Sequence, residues 1–226
     1  VPLYPGDVIW MGTDGTSPEE AARLIAASPE MAGQDLAAAT ADVVFTGQLN
    51  LEGAQRFYRS LKGRMARLGR SPDSLRVMPG LVPIVGRTHA EAREKFDAIQ
   101  NLIDSEEALT FLSQMLGGAD LSRIPPDVPA PTLPMTETRG MSGAQLLQEK
   151  VRRENLTLRQ LAYEVAGARR HRLVIGSATE VADQLELWFR NEAADGFNIF
   201  PAWMPGGVAD FAELVIPELQ RRGLFR

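Results

Sequence analysis

Side chains that could carry catalysis are few in this chain of 226 residues, and they do not form a familiar catalytic set. There is no cysteine, which excludes thiolate nucleophiles, disulfides and thiolate zinc sites. The two histidines, His89 and His171, are too few for a multi-histidine metal site, so we predict no metal. No Ser-His-Asp set, paired-carboxylate motif, glycine-rich dinucleotide motif or P-loop occurs. Covalent catalysis by a side chain is not indicated, and the catalytic residues stay unassigned.

The densest group of polar residues is the stretch "ARRHR" around His171, in which Arg169, Arg170 and Arg172 flank the imidazole. Guanidinium groups bind phosphates and carboxylates, so this group could hold an anionic ligand. The alternative is a solvated helix end, where cations are favoured by the helix dipole. The sequence leaves both interpretations open. His89 lies in the first turn of a predicted helix, and we expect a structural role for it.

Two strand ends offer candidate ligand contacts. The segment 197–207, "FNIFPAWMPGG", reads as a buried strand followed by a loop rich in proline and glycine. Trp203 and Met204 in this loop could line a substrate pocket, or they could simply pack against the protein. Thr46 and Gln48 lie at the end of the strand "VVFT" (43–46) and could contact a cofactor, or they could be polar residues that end the strand.

Strands and helices alternate along the chain, which favours parallel β/α units. Ser17, Thr88 and Ser177 each begin a capping box, the sequence signature of a helix start. Prolines 79 and 83 suggest that the second strand is bulged or lies at an edge. Leu185, Trp188 and Phe189 are expected to form the buried stripe of one helix. Strands are predicted at 43–46, 77–85, 173–175 and 197–200, and helices at 18–27, 28–40, 51–68, 89–103, 106–116, 142–153, 158–168, 180–190 and 208–222.

The predicted elements divide a single domain into four parts. Residues 1–23 are an irregular arm with a short helix, and residues 24–103 are β/α units. Residues 104–170 are a helical insertion or lid, whose proline-rich segment 123–140 is expected to be its most mobile part. Residues 171–226 supply the last β/α unit and the C-terminal helix. A closed (β/α)8 barrel needs about 200 residues and eight strands, so four strands indicate half a barrel or a small open sheet.

Composition narrows the possible partners. The net charge is −5 and no block of Lys or Arg stands out, so we expect neither nucleic acid nor a membrane surface as a partner. No apolar run approaches the roughly 18 residues of a membrane helix. The absence of cysteine fits a reducing, cytoplasmic location. The first residue is Val1, which leaves open whether the chain is a fragment.

The C-terminal stretch 177–226, from "SATEVADQLELWF" through "ADGFNIF" and "PGG" to "PELQRRGLFR", resembles the bacterial-luciferase-like flavin monooxygenases. The resemblance is to the branch that includes nitrilotriacetate monooxygenase, the A subunit of pristinamycin synthase, and dibenzothiophene-sulfone monooxygenase. "LAAATADVVFTGQ" (36–48), "RVMPGLVPIVGRTHAEA" (76–92) and 156–185 resemble the family in the same order. The likeness extends over about residues 24–226.

This resemblance implies an α/β fold, the C-terminal half of a luciferase-like (β/α)8 TIM barrel with a helical insertion. It also implies a two-component monooxygenase that receives reduced FMN from a separate flavin reductase. Dioxygen would react with the flavin, and the resulting flavin peroxide would oxygenate a small organic substrate. The implied partners are the reductase, the substrate, O2, and a second copy or the missing N-terminal half of the barrel. The alternative is a barrel half that no longer binds flavin and serves as a structural partner.

The resemblance also points to residues for the cofactor. The turn that binds the FMN phosphate in the family corresponds to residues 26–33, which places Ser28 and Glu30 near the phosphate. A hydroxyl at Ser28 would bind the anion at a helix N-terminus, or it would only cap the helix. The Glu30 carboxylate would repel the phosphate. Thr46 and Gln48 are the other implied contacts to the cofactor, and Trp203 and Met204 the implied contacts to the substrate.

Overall fold

The computed structural model describes residues 9–11, 32–129, 132–133, 141–168 and 171–226. The capping box at Ser17, the helix predicted over 18–27 and the first residues of the helix predicted over 28–40 lie outside these ranges. The other two residues predicted to begin a capping box, Thr88 and Ser177, are confirmed as helix caps. The Thr88 side chain accepts a hydrogen bond from the Glu91 amide, and Ser177 and Glu180 form a reciprocal capping box.

The strands and helices follow the predicted order, with one additional strand at the beginning. Asn50 caps the longest helix by accepting a hydrogen bond from the Gly53 amide. The strands are β1 (Ile9–Met11), β2 (Val43–Thr46), β3 (Arg76–Gly86), β4 (Arg172–Ser177) and β5 (Asn198–Ile199). The helices are α1 (Ala32–Thr40), α2 (Leu51–Arg67), α3 (His89–Gln100), α4 (Ser105–Met115), α5 (Met141–Glu154), α6 (Leu158–Ala168), α7 (Ala178–Arg190), α8 (Gly206–Asp210) and α9 (Ile216–Arg221), and a π-helical turn (Phe211–Val215) joins the last two.

Strand β3 is the centre of the sheet, so the expectation of an edge strand is wrong. It pairs in parallel with β2 along residues 76–79, with β5 at residues 80–81 and with β4 along residues 81–86. Each neighbouring strand pairs with a short part of β3. Pro79 therefore interrupts only the ladder with β2, and Pro83 only the ladder with β4. The apolar content of β3, which is buried from Gly80 to Gly86, outweighs the loss of two N–H donors.

Strand β1 corrects the prediction of an irregular arm. Ile9–Met11 pairs with Val43–Phe45 in the antiparallel sense, whereas the other strand pairs are parallel. A barrel of β/α units has parallel strands throughout. This strand therefore covers the free edge of β2 rather than continuing the barrel.

Helices cover the sheet and bury two apolar layers. Helices α1 and α2 pack on β2 and the beginning of β3 around Leu61, Met65 and Val77. Helix α7 and the C-terminal helices pack on β3 and β4 around Val181, Leu185 and Val215. The prediction for Phe189 is wrong, because this side chain is 49% exposed while its neighbour Trp188 is buried.

The insertion forms a helical unit around its own apolar core. Helices α4, α5 and α6 bury Leu112, Leu147 and Leu161, among others, against one another. The described part of the proline-rich segment is attached to this unit, since Arg159 donates a backbone hydrogen bond to Pro126 and the Leu133 amide donates to Gln148. That 123–140 is the most mobile part stays a prediction. Among the described helices, none is long and apolar enough to cross a membrane.

A buried charge network secures the amino end of β3. The Asp195 carboxylate lies 3.0 Å from the Lys62 ammonium, accepts a hydrogen bond of 2.9 Å from the Tyr58 hydroxyl and accepts one of 2.8 Å from the Val77 amide. Lys62 also donates to the carbonyl oxygens of Pro72 and Leu75. Residues at this end of a β/α barrel usually serve stability rather than catalysis. We therefore assign the network to stability.

Candidate functional site

Three aromatic rings meet where β2 and β5 end and β4 begins. The His171 ring, just before β4, stacks on the Phe200 ring with centroids 4.3 Å apart and an angle of 11° between the planes. Phe45 of β2 lies 5.4 Å from His171 and 5.7 Å from Phe200. Phe200 remains 37% exposed. The rings therefore form an accessible aromatic surface, which we call the aromatic cluster (Phe45, His171 and Phe200).

Gly80 makes room for the aromatic cluster. A methyl group at this position of β3 would overlap the imidazole of His171. The backbone of β3 and the His171 ring can therefore approach each other only because residue 80 has no side chain. This requirement connects the "PG" dipeptide in the middle of β3 to the site.

Thr46 and Gln48 are buried at the end of β2 and bonded to each other. The Gln48 amide nitrogen donates a hydrogen bond of 3.0 Å to the Thr46 hydroxyl. Thr46 is fully buried and Gln48 nearly so. This bond holds the two side chains together inside the protein, and their role toward a cofactor stays a prediction.

Trp203 and Met204 lie in the loop between β5 and α8. The Trp203 ring packs against Gly206 and Gly207 at the start of α8, and a side chain at Gly206 would overlap it. Met204 is 69% exposed. Neither residue lines the cavity described below, and their role toward a substrate stays a prediction.

A cavity of about 220 Å³ separates the helical insertion from the beginning of β4. Its apolar lining includes Leu49, Val165 and Leu173, and His171 connects it to the aromatic cluster. Its charged lining comes from α5, α6 and β4: Lys150, Arg153, Glu154, Glu164 and Arg172. The insertion thus contributes side chains to the region of the aromatic cluster.

Arg172 is the cation of the arginine group that the structure describes. Its guanidinium lies 4.6 Å from the centre of the Trp188 ring and donates a hydrogen bond of 2.5 Å to the Gln184 side chain. Burial lowers the pKa of Arg172, because the charged form loses solvation. The interpretation as a solvated helix end does not apply to this residue.

The remaining predicted residues lie elsewhere. Ser28 and Glu30 of the predicted phosphate turn fall outside the described residues, as do Arg169 and Arg170. His89 is exposed at the start of α3, with its Nδ1 atom 3.2 Å from Glu180 on α7, and it belongs neither to the aromatic cluster nor to the cavity lining. In the parts of the chain that the structure describes, no group of three or more His, Asp or Glu side chains is arranged to bind a metal.

Sequence reasoning missed Phe45 and Phe200 as members of the site. Both belong to strands that were predicted, at 43–46 and 197–200, and both lie at or near the carboxyl end of their strand. Ligands of β/α folds bind at this end. An aromatic residue in such a position was the available signal.

Comparison with known proteins identifies the family. The profile described as luciferase-like monooxygenase matches residues 14–195. The chain belongs to the luciferase-like monooxygenase family. The match begins before residue 24, so the resemblance extends further toward the N-terminus than expected, and the predicted family and fold class are confirmed.

Relatives and solved structures of this family agree with the assignment. Nitrilotriacetate monooxygenase component A of Aminobacter aminovorans is 44% identical over 204 residues, which are 90% of this chain and 45% of that protein. The A subunit of pristinamycin IIA synthase from Streptomyces pristinaespiralis is 42% identical over 203 residues, 90% of this chain and 47% of that protein. The crystal structure of DmoA from Hyphomicrobium sulfonivorans aligns with a TM-score of 0.73 and 26% identity, over 86% of this chain and 40% of that chain. The chain therefore spans about half the length of the relatives that it matches.

The described residues fit only part of a flavin. In the aromatic cluster, His171 stacks on Phe200 and Phe45 is tilted by 54° and 44° to these two rings, so the cluster offers the exposed ring of Phe200 to a planar ligand. The cavity beside it, about 220 Å³, is smaller than the roughly 300 Å³ at which pockets for drug-sized molecules begin. A flavin site at this position needs walls beyond those that the described residues provide.

Proposed function

We propose that this chain forms the C-terminal half of an FMNH2-dependent, two-component monooxygenase that oxygenates a small organic substrate with O2. The observation that carries the proposal is the family match over residues 14–195 together with the aromatic cluster at the carboxyl ends of β2 and β5. The names of the relatives support it, since nitrilotriacetate monooxygenase component A is a monooxygenase whose name denotes one component of a system.

In this proposal, the chain binds reduced FMN and shields it from water. The bound FMN would supply the chemistry that uses dioxygen. Phe200 presents its exposed ring to the flavin, and His171, stacked on it, and Phe45 of β2 support this ring. Thr46 and Gln48 keep the end of β2 rigid through their mutual hydrogen bond. Ser28 and Glu30 belong to the phosphate turn, and Trp203 and Met204 close the substrate side from the β5 loop. A cofactor that carries the difficult chemistry needs mainly positioning and exclusion of water from its protein.

The partners follow from the same proposal. A flavin reductase supplies FMNH2, and the cytoplasm, where such reductases would meet the chain, is the proposed location. The other half of the barrel pairs with this chain, or a second copy does, because a half barrel leaves strand edges and apolar surface uncovered. Analytical ultracentrifugation of the isolated chain is expected to show association. A monomer at high concentration would contradict this part of the proposal.

Flavin binding is the direct test. The chain is fused to the C-terminal end of the part of nitrilotriacetate monooxygenase component A that the comparison leaves unmatched. FMN binding to this fusion protein is measured by quenching of flavin fluorescence. We expect the fusion to bind FMN, and Phe200→Ala to weaken binding by about fivefold to tenfold because one aromatic contact is lost. Phe189→Ala is the matched control, since Phe189 is 49% exposed on the outer helix α7 and should change nothing.

A second comparison addresses the phosphate turn. In the same fusion, Glu30→Ser removes a carboxylate that would repel the FMN phosphate by about 3 kcal/mol at roughly 5 Å and an effective dielectric constant of about 20. Tighter FMN binding by this variant would support the phosphate turn. If the fusion binds no FMN in either form, the flavin enzyme is refuted and the non-catalytic barrel half remains.

A further inference from the structure

Arg172 is a partly buried cation that has no carboxylate partner among the described residues. Its guanidinium lies against the face of Trp188 and uses one nitrogen, Nη2, to donate to the neutral side chain of Gln184. Guanidinium groups have five N–H donors. Most of these donors are therefore available to a ligand. Burial also lowers the pKa of Arg172, because the charged form loses solvation.

The other charges of the cavity neutralise one another. Lys150 lies 2.7 Å from Glu164 and 3.1 Å from Glu154, and Arg153 lies 2.6 Å from Glu154. Two carboxylates thus face two cations, and Arg172 adds one uncompensated positive charge to the lining. Because Arg172 is partly buried, water screens its charge less than that of an exposed cation, and the cavity favours an anion.

The dimensions of the cavity restrict the anion. About 220 Å³ is too small for a drug-sized ligand but sufficient for a carboxylate-bearing arm of a small molecule. The apolar residues Leu49, Val165 and Leu173 would contact the carbon atoms of such an arm. His171 belongs both to this lining and to the aromatic cluster, so a molecule held here would extend toward the proposed flavin surface.

We propose that this cavity is a carboxylate subsite, in which the Arg172 guanidinium binds a carboxylate of a small organic substrate. The proposal rests on the proposed function for the identity of the reaction, but the binding itself requires no flavin. Trp188 and Gln184 act as positioning residues, because they fix the plane of the guanidinium. A planar, fixed guanidinium matches the two oxygens of a carboxylate.

The test is calorimetric titration of the chain, without flavin and at low salt, with propane-1,2,3-tricarboxylate. The neutral probe is the corresponding triamide, which has the same shape and no charge. We expect binding of the tricarboxylate, no measurable binding of the triamide, and a loss of about tenfold or more in Arg172→Met, as for a hydrogen bond to a charged group. Arg172→Lys should fall between the two, since it keeps the charge but not the paired donors.

Arg221→Met is the matched control. Arg221 lies on α9 and does not line the cavity, and its side chain is 70% exposed and paired with Glu218, so its loss should change affinity by less than about twofold. In the wild-type protein, the indole N–H resonance of Trp188 should shift on addition of tricarboxylate. This second measurement needs no variant and stands even if Arg172→Met fails to fold.

Several results would overturn the subsite. They are absent binding by the wild type, equal binding of the triamide, unchanged affinity in Arg172→Met, or an unmoved Trp188 resonance during binding. Stronger binding of inorganic phosphate than of tricarboxylate would instead assign the anion to a phosphate group, against this proposal. Since no flavin is present, none of these outcomes depends on whether the flavin proposal succeeds.

Discussion

Replacing Asp195 by asparagine should be among the most destabilising conservative changes in this protein. The carboxylate and its partner Lys62 are each only 10% exposed and 3.0 Å apart. At an effective dielectric constant of about 20, this attraction amounts to roughly 5 kcal/mol before desolvation is subtracted. Asparagine keeps one acceptor oxygen in the place of Oδ2, which contacts both Lys62 and the Val77 amide. It puts an NH2 group in the place of Oδ1, which accepts the hydrogen bond of the Tyr58 hydroxyl, and it removes the negative charge.

The expected net cost is about 3 kcal/mol, at the lower end of the values for a broken buried pair. The ammonium keeps the carbonyl oxygens of Pro72 and Leu75, which limits the loss. With a urea m-value of about 3 kcal/mol/M, the unfolding midpoint should fall by about 1 M.

The matched control is Asp127→Asn. Asp127 lies 2.6 Å from Arg159, but its side chain is 70% exposed, so the expected loss is below about 1 kcal/mol. In a Lys62→Met background, Asp195→Asn should cost clearly less than in the wild type. Equal midpoint shifts for Asp195→Asn and Asp127→Asn would refute the reasoning.

Two further predictions concern stability. Gly86→Ala should lower the free energy of unfolding by more than about 2 kcal/mol, because a methyl group there meets backbone atoms at the start of α3. Gly80→Ala should lower it by less, because the methyl group meets the His171 side chain, which can rotate. Gly63→Ala should gain about 0.5–1 kcal/mol in the same urea unfolding measurements, since open space surrounds this helical glycine; the opposite order would contradict the stated clashes. Burial, and then the hydrogen bond to Asp195, raise the pKa of Tyr58 well above its usual value near 10, so the native state keeps this proton longer than the unfolded state. Unfolding free energy should therefore decrease as pH rises above about 10, and Tyr58→Phe should lose part of this decrease; identical pH profiles of the two proteins would exclude the contribution.

Local signals predicted the elements that depend on neighbouring residues. Strand β2 was predicted at 43–46 and occupies Val43–Thr46, and α2 was predicted over 51–68 and occupies Leu51–Arg67. In α2, the Asn50 cap and the helical spacing of apolar residues act within a few positions. The family resemblance, rather than these patterns, pointed to the barrel half.

Long-range contacts account for what was missed. Strand β1 has three residues and forms only against β2, more than 30 positions away along the chain. The central position of β3 depends on which strands lie beside it, whereas its two prolines suggest an edge when the strand is considered alone. Phe189 has the spacing of a buried residue, but its side of α7 faces solvent, and it remains exposed.

The candidate site shows the same difference between what local signals predict and what depends on long-range contacts. Position at a strand end directed the prediction to Thr46 and to the loop after β5, and the aromatic cluster lies beside both strand ends. It could not show that Thr46 and Gln48 bond to each other, or that Phe45, His171 and Phe200 come together from three separate segments. For Arg172, the stretch "ARRHR" showed the charge, but its setting comes from Trp188 on the following helix.

The short segment 195–200 connects the buried charge network to the aromatic cluster. At its beginning, the Asp195 amide donates to the Val77 carbonyl, and at its end the Phe200 amide donates to the Leu81 carbonyl, both at 2.8 Å. Asn198 donates to the Met78 carbonyl between them. The network at the amino end of β3 therefore fixes the start of the segment whose last residue, Phe200, completes the aromatic cluster. A segment that is attached to β3 along its whole length holds Phe200 in place with little freedom, which is what a surface that positions a cofactor requires.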